Sequence, residues 1–167
     1  LMIIGKGKRG NVYKLFNFAI KIKSKNSKAI NRIENEGKWL KKLNLCGIGP
    51  RLYFSGKKFL VLSYIDGERI LAFLEKANRK DRIIVIKDIF KYCRILDFLK
   101  VDKFEMRHPI KHIIVNLRNK KVTMIDFERC KYSLKPKNLT GFAQFLSSIY
   151  YVDREKLKKL LKEYKEK

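Results

Sequence analysis

The chain has 167 residues, of which 46% are hydrophobic and 12% aromatic, so it can bury a core and intrinsic disorder is excluded. Lys and Arg number 41 against 16 Asp and Glu, and the formal net charge of +25 leaves most of the positive charge without an internal partner. Such a surface attracts polyanions, so we expect a partner such as RNA, a ribosomal particle or DNA. A lysine-rich background set by genome composition would give the same charge.

Cysteine and histidine usage narrows the class further. The chain has three cysteines, an odd number, and no two of them have the CxxC spacing. It also has two histidines. These counts argue against a disulfide framework, a zinc site or a His-rich metal site, and they favour a reducing, cytoplasmic environment. No run of about 18 apolar residues predicts a membrane-spanning helix.

Three glycines follow a short apolar run, Leu1 to Ile4, which is predicted to be a strand; they are Gly5, Gly7 and Gly10. Because glycine has no side chain, the backbone N–H groups of such a loop can approach phosphate oxygens closely. Two strands are predicted next, Val12 to Phe16 and Phe18 to Ile22, joined by a tight turn. A hairpin after the glycines excludes the dinucleotide-binding and Walker loops, which need a helix there. Lys21 could add a point charge to bound phosphates.

A helix is predicted from about Ser27 to Leu43, with an inward stripe formed by Ala29, Ile33, Leu40 and Leu43. Glu36 falls on this apolar stripe. A carboxylate there is costly unless it is paired, and Lys21 is the obvious inward cation. A solvated glutamate at the edge of the stripe is the alternative.

Two further strands, Arg51 to Ser55 and Lys58 to Tyr64, complete a predicted sheet of about five strands with one helix. The turn at Asp66 and Gly67 is typical of a boundary. We therefore predict one unit over residues 1–65 and a second, mostly helical unit over residues 66–167.

The second unit is predicted to be built around a helix from Asp81 to Lys100 that is apolar on two faces and therefore central and buried. One face carries Val85, Ile89, Tyr92, Leu96 and Leu99, and the other carries Ile83, Ile86, Phe90 and Cys93. An irregular segment and two short strands, Ile113 to Val115 and Val122 to Ile125, come next. Asp126 follows the second strand directly, in a position where ligand sites are often built, although an Asp that only starts a turn is the alternative. Two helices are predicted in the tail, from about Leu139 to Tyr151 and after Asp153.

This order of parts resembles a protein kinase domain. Gly5-x-Gly7-x-x-Gly10-x-Val12 fits the glycine-rich pattern of that family, Phe18-Ala-Ile-Lys21 resembles V-A-I-K, and Ile125-Asp-Phe-Glu128 resembles I-D-F-G. The segment after Asp126 is short, as in the RIO-type kinases. The chain is most similar to archaeal proteins predicted to be RIO-like serine/threonine kinases, which share His108-Pro-Ile-Lys-His112-Ile113 and Ile125-Asp-Phe-Glu-Arg129.

The resemblance implies an α+β, abbreviated two-lobed protein-kinase-like fold, with a small N-terminal antiparallel sheet and one helix, and a helical C-terminal lobe. It also implies ATP as cofactor together with Mg²⁺ or Mn²⁺, and transfer of the γ-phosphoryl group to a protein substrate. The implied phosphate site is Gly5, Gly7, Gly10 and Lys21, with Glu36 paired to Lys21 and Asp126 holding the metal. The adenine would lie near Ile4, Val12 and Ala19, against the backbone from Ser63 to Ile65.

The catalytic loop departs from the family pattern. Alignment on Ile113 places Arg107 where the catalytic Asp should be, and an arginine cannot accept a proton. Glu105 or His108 could act as the base instead, and Lys111 could stabilise the transferring group. His112 falls at the metal-binding Asn and would suit Mn²⁺ better than Mg²⁺.

Two other functions fit the same residues. One is a pseudokinase that acts as a nucleotide-gated, RNA- or ribosome-binding module, which the missing base and the net charge favour. The other is a small-molecule kinase of similar fold, although such enzymes usually keep the loop pattern that is absent here.

Overall fold

The computed structural model describes residues 2–7, 10–23 and 31–150, together with residues 155, 158, 159, 162, 163 and 166. The fold is α+β. Its first part is a five-stranded antiparallel sheet in the order β1-β2-β3-β5-β4, which confirms the predicted sheet. The strands are β1 (Met2–Gly7), β2 (Gly10–Leu15), β3 (Phe18–Lys23), β4 (Leu52–Ser55) and β5 (Phe59–Ser63).

The glycines belong to a β-hairpin rather than to a separate loop. Gly5 pairs with Val12, and Gly7 pairs with Gly10, after a register shift between Ile3 and Gly5. The first strand therefore runs further than the predicted Leu1 to Ile4, because its polar and glycine residues complete the ladder with β2. The tip, residues 8 and 9, lies outside the described residues.

One face of the sheet is covered by α1 (Arg32–Leu43). Ile33, Leu40 and Leu43 are buried, as the apolar stripe predicts. A Cβ at Gly37 would overlap the Ser55 hydroxyl, so this glycine lets α1 lie close to the strands. The helix begins at Arg32. The predicted start at Ser27 and the inward Ala29 fall in residues 24–30, which lie outside the described residues.

Up to residue 150, the second part contains the helices α2 (Ile70–Lys76), α3 (Arg79–Phe98) and α4 (Asn138–Tyr150). A three-stranded sheet combines β6 (Glu68–Arg69), β8 (Ile113–Val115) and β9 (Val122–Met124), in the order β6-β8-β9. β7 (Val101–Asp102) pairs with β10 (Lys131–Tyr132). Two short 3₁₀ turns, Phe104–Arg107 and Pro109–Lys111, occupy the segment predicted to be irregular.

The prediction that α3 is buried on two faces is wrong in part. Val85, Ile89, Cys93 and Leu96 are buried, but Ile83 is 43% exposed and Leu99 is 40% exposed. The α4 helix packs against α3, where the Phe142 ring contacts Phe90 edge-on, whereas Ile83, near the start of α3, stays partly exposed. The second tail helix falls almost wholly outside the described residues. Among the residues that the structure describes, no helix combines the length and apolar character needed to cross a membrane.

Candidate functional site

A row of residues across the sheet positions the candidate site. Gly5 lies opposite Val12, Val12 opposite Lys21, and Lys21 opposite Leu60. Residues that lie opposite each other in antiparallel strands point to the same face. Leu60 is fully buried on the α1 side, so Val12 and Lys21 point to that side too. Ala19, two residues before Lys21, shares this face.

The Lys21 ammonium is the centre of the site and contacts three carboxylates. Its Nζ lies 2.6 Å from Glu36 Oε2, 2.9 Å from Asp126 Oδ1 and 3.6 Å from Glu128 Oε2. The predicted pairing of Lys21 with Glu36 is therefore confirmed, and the solvated-edge alternative is excluded because Glu36 is 1% exposed. Three segments distant in sequence meet here: β3, α1 and the turn after β9.

The surrounding charges set the protonation of these groups. Burial lowers the pKa of Lys21, but the Glu36, Asp126 and Glu128 carboxylates outweigh burial and hold this pKa above its usual value. Burial raises the pKa of Glu36 despite its contact with Lys21. Burial would also raise the pKa of Asp126, yet Lys21 and Lys103 lower it below the usual range. Of Glu36 and Asp126, Asp126 is thus the carboxylate that stays ionised more readily.

Asp126 has an unusual backbone conformation, with φ at +65°. This left-handed conformation is uncommon for a residue with a side chain, although Asp and Asn tolerate it best. A buried cation supports it, since Lys103 Nζ donates to the carbonyl oxygen of Asp126 at 2.6 Å and to that of Ile125 at 2.9 Å. Such conformations are concentrated at functional sites, where the surroundings hold them in place.

The segment after Asp126 is fixed to α1 by side-chain contacts. Asn35 donates to the carbonyl oxygens of Glu128 and Cys130, both at 3.0 Å, and Trp39 Nε1 donates to that of Cys130 at 2.8 Å. The buried Glu128 carboxylate accepts from Arg32 at 3.0 Å. Glu36 also accepts the N–H of Phe127 at 3.1 Å. These contacts hold Asp126 in one orientation relative to Lys21.

His112 is the second predicted metal ligand, and it lies beside Asp126. The backbone N–H of Ile125 donates to the carbonyl oxygen of His112 at 2.9 Å, which brings the ring close to the carboxylate. Nδ1 lies 3.6 Å from Asp126 Oδ2 and is a buried polar atom without a hydrogen-bond partner. Burial and the nearby Lys103 lower the pKa of His112, which favours the neutral ring. A neutral imidazole nitrogen and a carboxylate oxygen are thus available side by side.

Gly10 and Gly5 differ in whether the fold requires a residue without a side chain at that position. A Cβ at Gly10 would overlap the carbonyl oxygen of Ile22 on β3, so backbone packing requires Gly10. A Cβ at Gly5 would meet only the Val12 side chain, at an ordinary 3.6 Å. The fold itself does not need a glycine at position 5. Gly5 lies opposite Val12, on the face that carries Lys21.

The other predicted catalytic residues are not gathered around Lys21. Glu105 is buried, with Oε2 3.4 Å from Lys103 Nζ and Oε1 3.9 Å from Arg129 Nε. His108 and Lys111 are exposed, and the Lys111 carbonyl oxygen accepts from Arg69. Ser63 and Ile65 line a different cavity, of about 500 Å³, together with Lys41, Arg51 and Lys121. Ser63 Oγ there accepts the N–H of Arg51.

Lys103 and Glu128 are functional candidates that sequence reasoning missed. Lys103 belongs to a chain dense in lysine and shows no pattern that predicts a fully buried cation. Its backbone N–H donates to Asn138 Oδ1 at 2.8 Å, and its ammonium lies 4.5 Å from the centre of the Phe127 ring. Glu128 follows Asp126 by two residues with no pattern that predicts its partners, and its contacts to Lys21 and Arg32 depend on tertiary structure.

Comparison with known proteins identifies a similar protein but assigns no activity to the chain. No family model matches the chain. An uncharacterised protein of Methanocaldococcus jannaschii is 35% identical over 81 residues, which cover 48% of this chain and 66% of that protein. The match thus spans slightly less than two thirds of the relative. Any functional conclusion depends on the arrangement around Lys21.

Proposed function

We propose that the protein binds ATP and a divalent metal ion at the Lys21 site and transfers the γ-phosphoryl group, as an atypical, RIO-like serine/threonine kinase or ATPase. The observation that carries this proposal is the meeting of Lys21, Glu36 and Asp126 on the sheet face beneath the glycine hairpin. A lysine held by a glutamate and placed next to an ionised aspartate suits a phosphate chain, whose charge needs both a cation and a metal.

The proposed fold is an abbreviated two-lobed kinase-like fold. In it, residues 1–65 form the small lobe and residues 66–167 the helical lobe, with the nucleotide between them. The bare backbone of Gly5 and the shared face of Val12, Ala19 and Lys21 support a nucleotide whose phosphates lie near Lys21. Ser63 and Ile65, proposed to contact the adenine through the backbone, lie at the end of β5, next to β3.

The residues present fit a divalent metal ion. Asp126 Oδ2 faces His112 Nδ1, a buried atom that lacks any other partner, and this pair would hold the ion while Lys21 occupies Oδ1. A nitrogen ligand favours Mn²⁺ over Mg²⁺. Bound there, the ion would neutralise phosphate charge and orient the γ-phosphoryl group.

The protein's own residues would act mainly by positioning. Glu36 and the α1 contacts fix Lys21 and Asp126 in place, and phosphoryl transfer depends mostly on such positioning and on electrostatic stabilisation. Glu105 is buried against Lys103, so it is poorly placed to accept a proton. We therefore propose slow turnover rather than none.

A second candidate is the pseudokinase, a nucleotide-gated module that binds RNA or ribosomal particles. The observation that favours it is the lack of an exposed acid in the catalytic loop. Among the described residues of that loop, 103–112, the acid is Glu105, which is 7% exposed and paired. ATP binding without phosphoryl transfer would favour this candidate.

Radiolabelled ATP distinguishes these functions. Purified protein with γ-labelled ATP and Mn²⁺ or Mg²⁺ should release labelled phosphate or label itself or an added basic protein. Asp126→Asn, which tolerates the left-handed backbone, and Lys21→Met should abolish the signal. Lys91→Met, at an exposed position of α3, should leave it unchanged. A signal that persists in both site variants, or its absence in the wild type, contradicts phosphoryl transfer.

A further inference from the structure

The face of the sheet opposite α1 carries large apolar side chains that remain exposed. We call Ile3, Phe18, Ile22, Tyr53, Phe54 and Phe59 the outer sheet face. Each of these side chains is between 37% and 50% exposed. The side chains alternate along β5, where Leu60 and Leu62 are buried under α1 and Phe59 is exposed. No described helix covers the outer sheet face, and an apolar patch of this kind typically marks an interaction site.

The aromatic rings of this face are arranged in pairs. The Phe54 and Phe59 rings stack with centroids 4.9 Å apart and an interplanar angle of 22°. Phe18 and Tyr53 meet edge to face at 5.1 Å. The Arg51 guanidinium lies 5.2 Å from the centre of the Tyr53 ring. Flat rings held in place on a rigid sheet, beside an arginine, offer a stacking surface for other flat, electron-rich groups.

The charges around this face all have one sign. Every charged residue within the five strands is a lysine. Lys6 lies in the same row as Ile22 and Phe59, since Lys6 pairs with Asn11, Asn11 with Ile22, and Ile22 with Phe59. Lys57 and Lys58 form the turn that leads into Phe59, and both are exposed. No acidic side chain from these strands opposes them, so an anionic partner would find uncompensated positive charge.

We propose that the outer sheet face binds single-stranded nucleic acid. Unpaired bases would stack on the Phe54–Phe59 pair and on Tyr53, while Arg51, Lys57 and Lys58 would contact the phosphates. Aromatic platforms edged by cations bind single strands in this way, whereas the bases of a duplex are stacked on each other and inaccessible to protein rings. The surface lies on the opposite side of the sheet from Lys21, so the proposal does not depend on the catalytic function.

The stacking contribution can be tested with a double variant. Phe54→Leu with Phe59→Leu keeps apolar volume but removes the rings, and Phe98→Leu is the matched control because Phe98 is 84% exposed on α3. Fluorescence anisotropy with a labelled oligouridylate of about twelve nucleotides measures affinity. The double variant should bind about tenfold more weakly with an unchanged salt dependence, while the control should bind like the wild type.

The phosphate contacts can be tested through the dependence of affinity on salt concentration. Lys57→Ala with Lys58→Ala should reduce the slope of log affinity against log salt by about one to two, and Lys87→Ala with Lys91→Ala on α3 should change it less. Photocrosslinking of a 5-bromouridine strand should label the peptide that contains β4 and β5. Urea midpoints that match the wild type would show that the variants are folded.

Several outcomes would overturn the proposal. Equal affinity of the wild type and the Phe54, Phe59 double variant would exclude stacking on this face, as would crosslinks confined to the helices. Tighter binding to a duplex than to the single strand would indicate a purely electrostatic surface. A concentration-dependent dimer that Phe54→Leu and Phe59→Leu dissolve would assign the face to a second copy of the chain.

Discussion

Replacement of Lys103 by methionine tests how the backbone of Asp126 is held. Methionine keeps most of the apolar stem but removes the ammonium that donates to Asp126 O at 2.6 Å and Ile125 O at 2.9 Å. It also leaves the buried Glu105 carboxylate with Arg129, at 3.9 Å, as its remaining ion-pair partner. Two partly buried acceptors lose a donor, at a cost of up to about 1–3 kcal/mol each. Removal of one partner of a buried pair costs about 3–5 kcal/mol in total.

We therefore expect Lys103→Met to lower the free energy of unfolding by about 3–5 kcal/mol. Urea denaturation followed by the fluorescence of the single tryptophan, Trp39, measures it. The exposed Lys91→Met on α3 should stay within about 0.5 kcal/mol of the wild type. Adding Glu105→Gln to Lys103→Met should recover about 1 kcal/mol or more, because it removes a buried carboxylate that keeps only its 3.9 Å contact with Arg129. A Lys103→Met protein as stable as the Lys91 control would refute this account of the site.

Two further predictions concern the glycine hairpin and the thiols. Gly10→Ala should lower the free energy of unfolding in urea by about 1–3 kcal/mol, because its Cβ would overlap the Ile22 carbonyl oxygen. Gly5→Ala should fold normally yet weaken ATP binding. Equal effects of the two variants on stability would contradict the different roles assigned to Gly10 and Gly5. Iodoacetamide should modify exposed Cys46 in the native protein but spare Cys93 and Cys130, because burial raises the pKa of Cys93 and raises that of Cys130 to about 12. Mass spectrometry should find all three cysteines modified in urea. Native modification of Cys130 as fast as that of Cys46 would contradict this prediction.

Local patterns in the sequence were sufficient to predict the sheet, α1 and the Lys21–Glu36 pair. An apolar stripe with one carboxylate on it needs an inward cation, and that argument uses only helix periodicity and the cost of burying charge. The sequence also indicated Asp126 as a candidate site residue, because it follows an apolar strand directly. Each of these signals is carried by residues within a few positions of one another, so a single sequence exposes them.

The remaining features depend on contacts between distant segments. Lys103 is buried because Asn138 and the turn after β9 close around it, and nothing near it in sequence distinguishes it from an exposed lysine. Ile83 and Leu99 are exposed because of where the neighbouring helices pack, which helix periodicity alone does not determine. The two-residue strands β6, β7 and β10 are too short for any alternation to be visible.

Direct measurement of ATP binding tests the central claim. Isothermal titration of the full chain with ATP, in the presence of Mn²⁺, should give saturable binding to the wild type and to Lys91→Met on α3. Binding should be at least about tenfold weaker in Lys21→Met and Asp126→Asn, since each removes a charge that faces the phosphates. Equal affinity in all four proteins, or no binding to the folded wild type, would contradict a nucleotide site at Lys21.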